Sequence, residues 1–276
     1  MSKPVLYTFG LSVWSAVPEI AAVELGYAPD AIEVRILNLV EGANFSPEFL
    51  SLNPNATLPT LVVDGKPYVN TTEVTRYLIE HAPKKVAPGS TAFIDRIHED
   101  PLDPNFILLT ARNEDELKAV ASGFPLQFVQ NRQNALDKYS QTPEAAAFKE
   151  FYDNKKTANG GVLAIYKGEV PEDVKTGFFN TSSRHWKNIT DYITKELPGL
   201  LPDSGFIGGE TPGEDDFHLA AWLARVAFVT GGNPNKGGYA SLEKETKESI
   251  PKKVATYWDA WTERPGWKKV YAESLH

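Results

Sequence analysis

The chain has 276 residues, of which 42% are hydrophobic and 23% charged, ordinary globular usage that gives no support to a disordered, fibrous or coiled-coil chain. Lys and Arg number 28 against 36 Asp and Glu, a formal charge of -8 that disfavours nucleic-acid binding as the main task. The complete lack of cysteine rules out disulfides, thiolate metal ligands and a cysteine nucleophile.

Residues Val5 to Phe9 are rich in strand formers. Ser12, Ser15 and Pro18 then lead into a helical pattern, in which Pro18 suits a first turn and Gly26 an end. Ile32, Val34 and Ile36 alternate with Glu33 and Arg35, as in a half-buried strand over Ile32 to Leu37. Ser46 to Leu52 can form a short helix, stopped by Asn53-Pro54-Asn55-Ala56-Thr57. Leu58 to Val63, Asp64-Gly65 and Tyr68-Val69 carry a hairpin signal, and Val74, Tyr77 and Leu78 recur at helical spacing.

The segment Ala82 to Thr91, with two prolines, a glycine and a Lys-Lys pair, has the composition of a linker. Beyond it the pattern turns helical. Patches lie in Leu102 to Tyr139, broken near Gly123 and Pro125, and in Ala145 to Tyr166. Apolar stripes follow at Trp186, Ile189 and Ile193 and at Leu219, Trp222, Leu223 and Val226, with a last helix over Ile250 to Trp261. No run of about 18 apolar residues and no secretory signal pattern occurs, so the expectation is a cytoplasmic chain with no membrane partner. Asn-Xaa-Ser/Thr triplets begin at Asn44, Asn55, Asn70, Asn180 and Asn188, and in a chain without a signal they read as chance.

This order of elements, with Leu6-Tyr7 ahead of Ser12, Glu24-Leu25-Gly26 closing the first helix, Asn53 to Leu61 turning into the third strand and Arg264-Pro265-Gly266-Trp267 near the end, resembles soluble glutathione transferases. The resemblance spans nearly the whole chain. It implies an α/β, thioredoxin-like glutathione-binding domain at residues 1–83, a linker at 84–91 and an all-helical domain at 92–276 with a hydrophobic-substrate site. The region from Leu102 to Lys175, with Asp103-Pro104-Asn105-Phe106, looks most like fungal members, related to etherase-like and yeast nitrogen-regulator-like ones. The implied activity uses glutathione as cosubstrate, with no metal, to attack hydrophobic electrophiles by conjugation, peroxide reduction or ether cleavage. A homodimer is implied as well. Two alternatives stand beside the enzyme: a ligandin-type carrier of aromatic small molecules, and a regulatory protein that kept the fold and lost the chemistry.

The turn at Pro59 alone allows an ordinary trans proline opening an edge strand; the resemblance implies a cis bond, with the Leu58 backbone free to pair with the cysteinyl backbone of glutathione. Thr57 adjoins it. The γ-glutamyl end falls on Asn70 and Thr71, followed by Thr72 and Glu73. Here the chain departs from the family, because Asn70 lacks the negative charge that would pair with an ammonium, and Glu73 is the candidate replacement. Asn70 and Thr71 equally suit a helix cap. A free thiol titrates near 8.5, and a hydroxyl at a helix N-terminus lowers that value through hydrogen bond and dipole together. Ser12 is the first candidate for this work and Ser15 the second; Tyr7 matches less well, and Trp14 could wall the site or belong to the core. Phe106, Phe124, Phe128 and Tyr166 are candidate lining residues for the hydrophobic substrate, although aromatic residues on helices are usually packing.

Asp216 stands where a capping-box aspartate would, with Gly213 at the cap, a folding feature. The histidines show no metal-ligand spacing; His98-Glu99-Asp100 reads as a solvated turn, and Gly231-Gly232 and Gly237-Gly238 as bounds of a loop.

Overall fold

The computed structural model describes residues 3–276. Strand β1 (Val5–Thr8) buries Leu6 and Thr8 and leads to helix α1 (Val13–Glu24). The start of α1 is set by Ser12, whose backbone is extended (φ -94°, ψ 117°) and whose side chain caps the helix. Pro18 therefore falls in the second turn and not, as expected, the first. Its missing N–H leaves the Trp14 carbonyl without an i+4 donor, a break tolerated in a helix whose Val13, Ala16, Val17 and Ile20 are wholly buried. Strand β2 (Glu33–Ile36) follows, and the expectation of a half-buried strand fails here: Val34 and Ile36 are 56% and 67% exposed. β2 is an edge strand, so alternation in its sequence is not matched by a covering layer on either face.

Helix α2 (Pro47–Leu52) is capped by Ser46. Strands β3 (Thr60–Val63) and β4 (Lys66–Tyr68) form the expected hairpin, turning through Asp64 (φ 48°) and Gly65 (φ 80°). Two successive positive φ angles define the type I′ turn that Asp-Gly favours. The sheet order is β2-β1-β3-β4, with β1 and β3 antiparallel (Val5 opposite Val62, Tyr7 opposite Thr60). Helix α3 (Thr71–Glu80) completes the thioredoxin-like part.

The linker composition is borne by an irregular stretch that is nonetheless clamped. Gly89 N and Ser90 N donate to Glu214 Oε2 and Asp215 Oδ1, both at 2.8 Å, and Arg76 pairs with Glu214 at 2.9 Å. Helix α4 (Thr91–His98) begins directly after it. The remaining structure is helical: α5 (Glu114–Val120), α6 (Phe124–Tyr139), α7 (Lys149–Tyr166), α8 (Glu172–Asp191), α9 (Leu197–Leu200), α10 (Glu214–Val229), α11 (Glu243–Thr246), α12 (Lys252–Thr262) and α13 (Pro265–Val270).

Two compact units emerge from the packing. The first comprises the chain up to Arg35 with Leu58–Ile107 and His185–His276; the second comprises Ile36–Thr57 with Leu108–Arg184. In the first, α1 and α10 bury their apolar faces together, and Trp222 is fully enclosed with its Nε1 donating to the Leu102 carbonyl at 2.7 Å. Each such large side chain contributes on the order of 1.5–3 kcal/mol. In the second, Phe45, Leu50, Leu136 and Tyr152 form one cluster, tied by Tyr152 Oη donating to the Phe45 carbonyl at 2.6 Å, and Leu117, Val129, Leu163 and Tyr166 belong to another. No helix among the described residues is long and apolar enough to cross a membrane.

Candidate functional site

The chain leaves β1 through a tight turn in which Ser12 N donates to the Phe9 carbonyl at 2.8 Å. Ser12 Oγ then accepts from Ser15 N at 3.3 Å. Ser12 is partly exposed, and a hydroxyl that accepts from the helix end still has its own proton to donate outward. Ser15 differs. It occupies the third position of the helix, is 0% exposed, and its Oγ has no partner among the described residues. Of the two serine candidates, only Ser12 presents a hydroxyl at the helix entrance. Tyr7 Oη accepts from Arg35 Nη1 at 3.0 Å, and Arg35 also pairs with Glu33 at 2.7 Å.

Three attachments fix residues 11–14, and none was signalled by sequence pattern. Arg225 on α10 donates from Nη2 to the Leu11 carbonyl at 2.5 Å. The Trp14 ring stacks on His98 with centroids 3.6 Å apart and planes at 20°. A hydrogen bond links Trp14 to Asp103, which also accepts from Asn105 N and Nδ2 at 3.0 Å each; burial raises the Asp103 pKa and these bonds oppose it. The Asp103-Pro104-Asn105-Phe106 run is thus a turn that braces Trp14.

His98 is not the solvated residue that its charged neighbours suggested. It ends α4 with its ring against Trp14 and its Nε2 2.8 Å from Nδ1 of His218, which is wholly buried on α10. Apolar packing on α4 at Ile94 and Ile97 turns the last residue inward. Burial lowers the His98 pKa to about 4 and holds that of His218 well below its ordinary value, the two rings opposing each other's protonation.

At the head of β3 the Leu58–Pro59 peptide is cis, as the resemblance implied. Leu58 lies outside the ladder, which begins at Thr60 opposite Tyr7. Thr57 belongs to the second unit, where Asn53 Nδ2 donates to its carbonyl at 3.0 Å. At α3 the capping role is realised: Asn70 Oδ1 accepts from Glu73 N at 2.9 Å, and Glu73 Oε2 accepts from Val69 N at 3.1 Å. Thr71 is buried, its carbonyl accepting from Thr75 Oγ1 at 2.8 Å, and Thr72 is partly exposed.

The aromatic candidates separate. Phe106 is in the first unit, exposed, with its ring edge-on to His185 at 5.7 Å. Phe124 and Phe128 are in the second, stacked at 5.9 Å with Phe124 exposed. Tyr166 is a core residue there, its hydroxyl donating to the Leu109 carbonyl at 2.5 Å.

The motif near the C-terminus acts on α1. Glu24 is buried and accepts from Gly266 N at 2.8 Å and from Arg264 Nε at 3.1 Å. Asp216 accepts from the N–H groups of Ile207, Gly208 and Gly213, each at 2.8 Å, which confirms its folding role. No group of three His, Cys, Asp or Glu residues is placed to hold a metal ion among the described residues.

Residues 6–91 match the family model for the glutathione S-transferase N-terminal domain. Among solved structures, the chain is similar to the beta-etherase LigF from Sphingobium sp. strain SYK-6, with a TM-score of 0.62 and 14% identity over 99% of this chain and 100% of that one. It is similar to Gtt2 from Saccharomyces cerevisiae, at 0.56 and 15% over 96% and 99% of the two chains. Glutathione transferase Omega 3C from Trametes versicolor also matches, at 0.53 and 11% over 100% and 87%. The chain therefore has the glutathione-transferase fold, a thioredoxin-like sheet followed by a helical region.

Proposed function

We propose that the chain is a glutathione transferase of serine type, in which residues 1–83 bind glutathione and Ser12 favours its thiolate. The observation that carries this reading is the partly exposed Ser12 hydroxyl capping a 12-residue helix within the matched segment. Leu58, outside the ladder beside Pro59, offers backbone N–H and C=O groups to the cysteinyl residue. The N-terminus of α3 at Asn70, Thr71 and Thr72 offers amides to the γ-glutamyl carboxylate. The thiol loses its proton to water. Ser12 Oγ then donates to the sulfur while Ser15 N donates to Oγ, and helix dipole and hydroxyl together lower the thiol pKa by about one to two units, each unit being about 1.4 kcal/mol.

The thiolate attacks an electrophilic carbon, forming a C–S bond as the leaving group departs with the bonding pair. An ether is a substrate class consistent with the likeness to an etherase, and exposed Phe106, in the same unit as Ser12, is a candidate contact for its apolar part. A fungal-type class, a homodimer and a cytoplasmic setting complete the proposal on the strength of the sequence resemblance. Calorimetry with glutathione, followed by turnover with aryl halide, hydroperoxide and aryl-ether electrophiles, tests it. Binding with turnover that falls at least about tenfold in Ser12→Ala, one unit of thiol pKa, is expected; no glutathione binding refutes it.

A carrier of aromatic molecules is the second reading. It is favoured by the engagement of Asn70 and Glu73 Oε2 in capping, Asn70 bringing no negative charge to meet the γ-glutamyl ammonium. Thermal shifts with polyphenols and none with glutathione would decide for the carrier.

A further inference from the structure

The least explained charge in the first unit is that of Arg225. The residue is 3% exposed, no carboxylate lies within ion-pair distance of it among the described residues, and its Nε has no hydrogen-bond partner. Its printed attachment is Nη2 to the Leu11 carbonyl, with the Phe228 ring 5.9 Å from the guanidinium on its own helix. Burying an unpaired guanidinium is costly, and a hydrophobic residue of similar volume would serve packing alone better.

The peptide it holds is the one before Ser12. The Leu11 C=O accepts from Arg225 at 2.5 Å and the Ser12 N–H donates to Phe9 at 2.8 Å, so the Leu11–Ser12 peptide is gripped at both ends while the Leu11 side chain points to solvent. The groups that face Arg225 from other elements are few. Tyr271, after α13, is buried with an unpartnered hydroxyl, and its ring lies 4.9 Å from that of His276, also buried with an unpartnered Nε2. Burial raises the Tyr271 pKa and lowers that of His276 to about 4, so both are neutral at physiological pH. Asp103 lies near enough to favour the Arg225 charge, its own pKa raised by burial and lowered by the bonds from Asn105 and Trp14, and Glu19 faces Tyr271. Arg225 is itself lowered by burial to about 10 and keeps its charge. A guanidinium with no ion-pair partner among the described residues thus sits in a low-dielectric interior one peptide away from Ser12, where charges act with little screening.

We propose that Arg225 is a positioning residue for Ser12, and that its buried charge favours the thiolate of glutathione at the Ser12 hydroxyl. This rests on the reading of Ser12 given above. The proton still leaves to water; Arg225 neither takes it nor touches the sulfur. Its effect is on the equilibrium between S–H and S⁻.

The test is the pH titration of the thiolate absorbance of glutathione bound to the whole chain, run with the unsubstituted protein, Arg225→Lys and Arg225→Gln, with affinity measured by calorimetry. Arg225→Gln removes the charge and should raise the bound-thiol pKa by about one unit, a tenfold lower thiolate fraction below that pKa. Arg225→Lys keeps both a charge and a donor and should titrate close to the unsubstituted protein. An Arg225→Gln titration that coincides with that of the unsubstituted protein overturns the proposal and leaves the Ser12 reading standing. Failure of the unsubstituted protein to bind glutathione overturns both. Should Arg225→Gln not fold, Arg225→Lys decides, because a full upward shift with the charge retained contradicts the proposal.

Discussion

Acidification should loosen the seat of Trp14 through His98, and the size of the effect follows from its burial. The folded-state pKa is lowered to about 4 from an ordinary 6.5, so the fold requires the neutral ring while the unfolded chain takes up a proton. Stability from this group is fully present above the unfolded pKa and is lost as pH falls toward 4. Between pH 7 and pH 5 the two titration curves differ by about 2 kcal/mol for His98 alone. Asp215 acts with the opposite sign: burial raises its pKa to about 6, so its contribution improves as pH falls from 6 toward 4. The total slope mixes such terms, and a variant isolates one. His98→Gln keeps a hydrogen-bonding group for His218 and removes the titration. Urea unfolding of both proteins at pH 7 and pH 5 should show the unsubstituted chain losing about 2 kcal/mol more than His98→Gln. Equal losses would refute the assignment of a buried neutral His98 against Trp14.

Three other perturbations have expected outcomes. Gly42→Ala in the second unit places a side chain at φ 66° with its Cβ 2.5 Å from that of Ala135, and should destabilise by about 2–4 kcal/mol in chemical denaturation; a change under about 0.5 kcal/mol would contradict that close approach. Arg264→Met leaves buried Glu24 with the Gly266 N–H and without its cation, at a cost of about 3–5 kcal/mol, part of which Glu24→Gln added to Arg264→Met should restore. Failure of the second change to recover any midpoint would show that packing, not charge, decides. Asp216→Ala frees three N–H groups and should lower the thermal midpoint, each orphaned donor costing about 1–3 kcal/mol; an unchanged midpoint would contradict that capping role.

The elements that the sequence made plain are those governed by local chemistry. Asp64-Gly65 dictates its turn, Asn70 caps its helix, and the stripe from Leu219 to Val226 makes a buried helix, and each is found where residue type demands it. What was illegible is long-range. Nothing local distinguishes His98 beside Glu99 and Asp100 from a solvated histidine, because its burial depends on Trp14 and His218, 84 and 120 positions away. The same holds for Arg225, which reaches Leu11 across 214 positions. The alternation in β2 misled for a related reason: period-two pattern reports which side chains share a face, while coverage of that face depends on the strand's place in the sheet. At the candidate site the cap at Asn70 could be read in advance, but the start of α1 and the choice between Ser12 and Ser15 required the Ser12 cap and the burial of Ser15.

The central claim is that Ser12 faces the sulfur of glutathione. A crystal structure of the chain with glutathione bound tests it most directly. The account predicts the sulfur within hydrogen-bonding reach of Ser12 Oγ, about 3–3.5 Å, with Oγ still accepting from Ser15 N. Glutathione bound with its sulfur turned to another hydroxyl, or not bound between Leu58 and the N-terminus of α3, would contradict it.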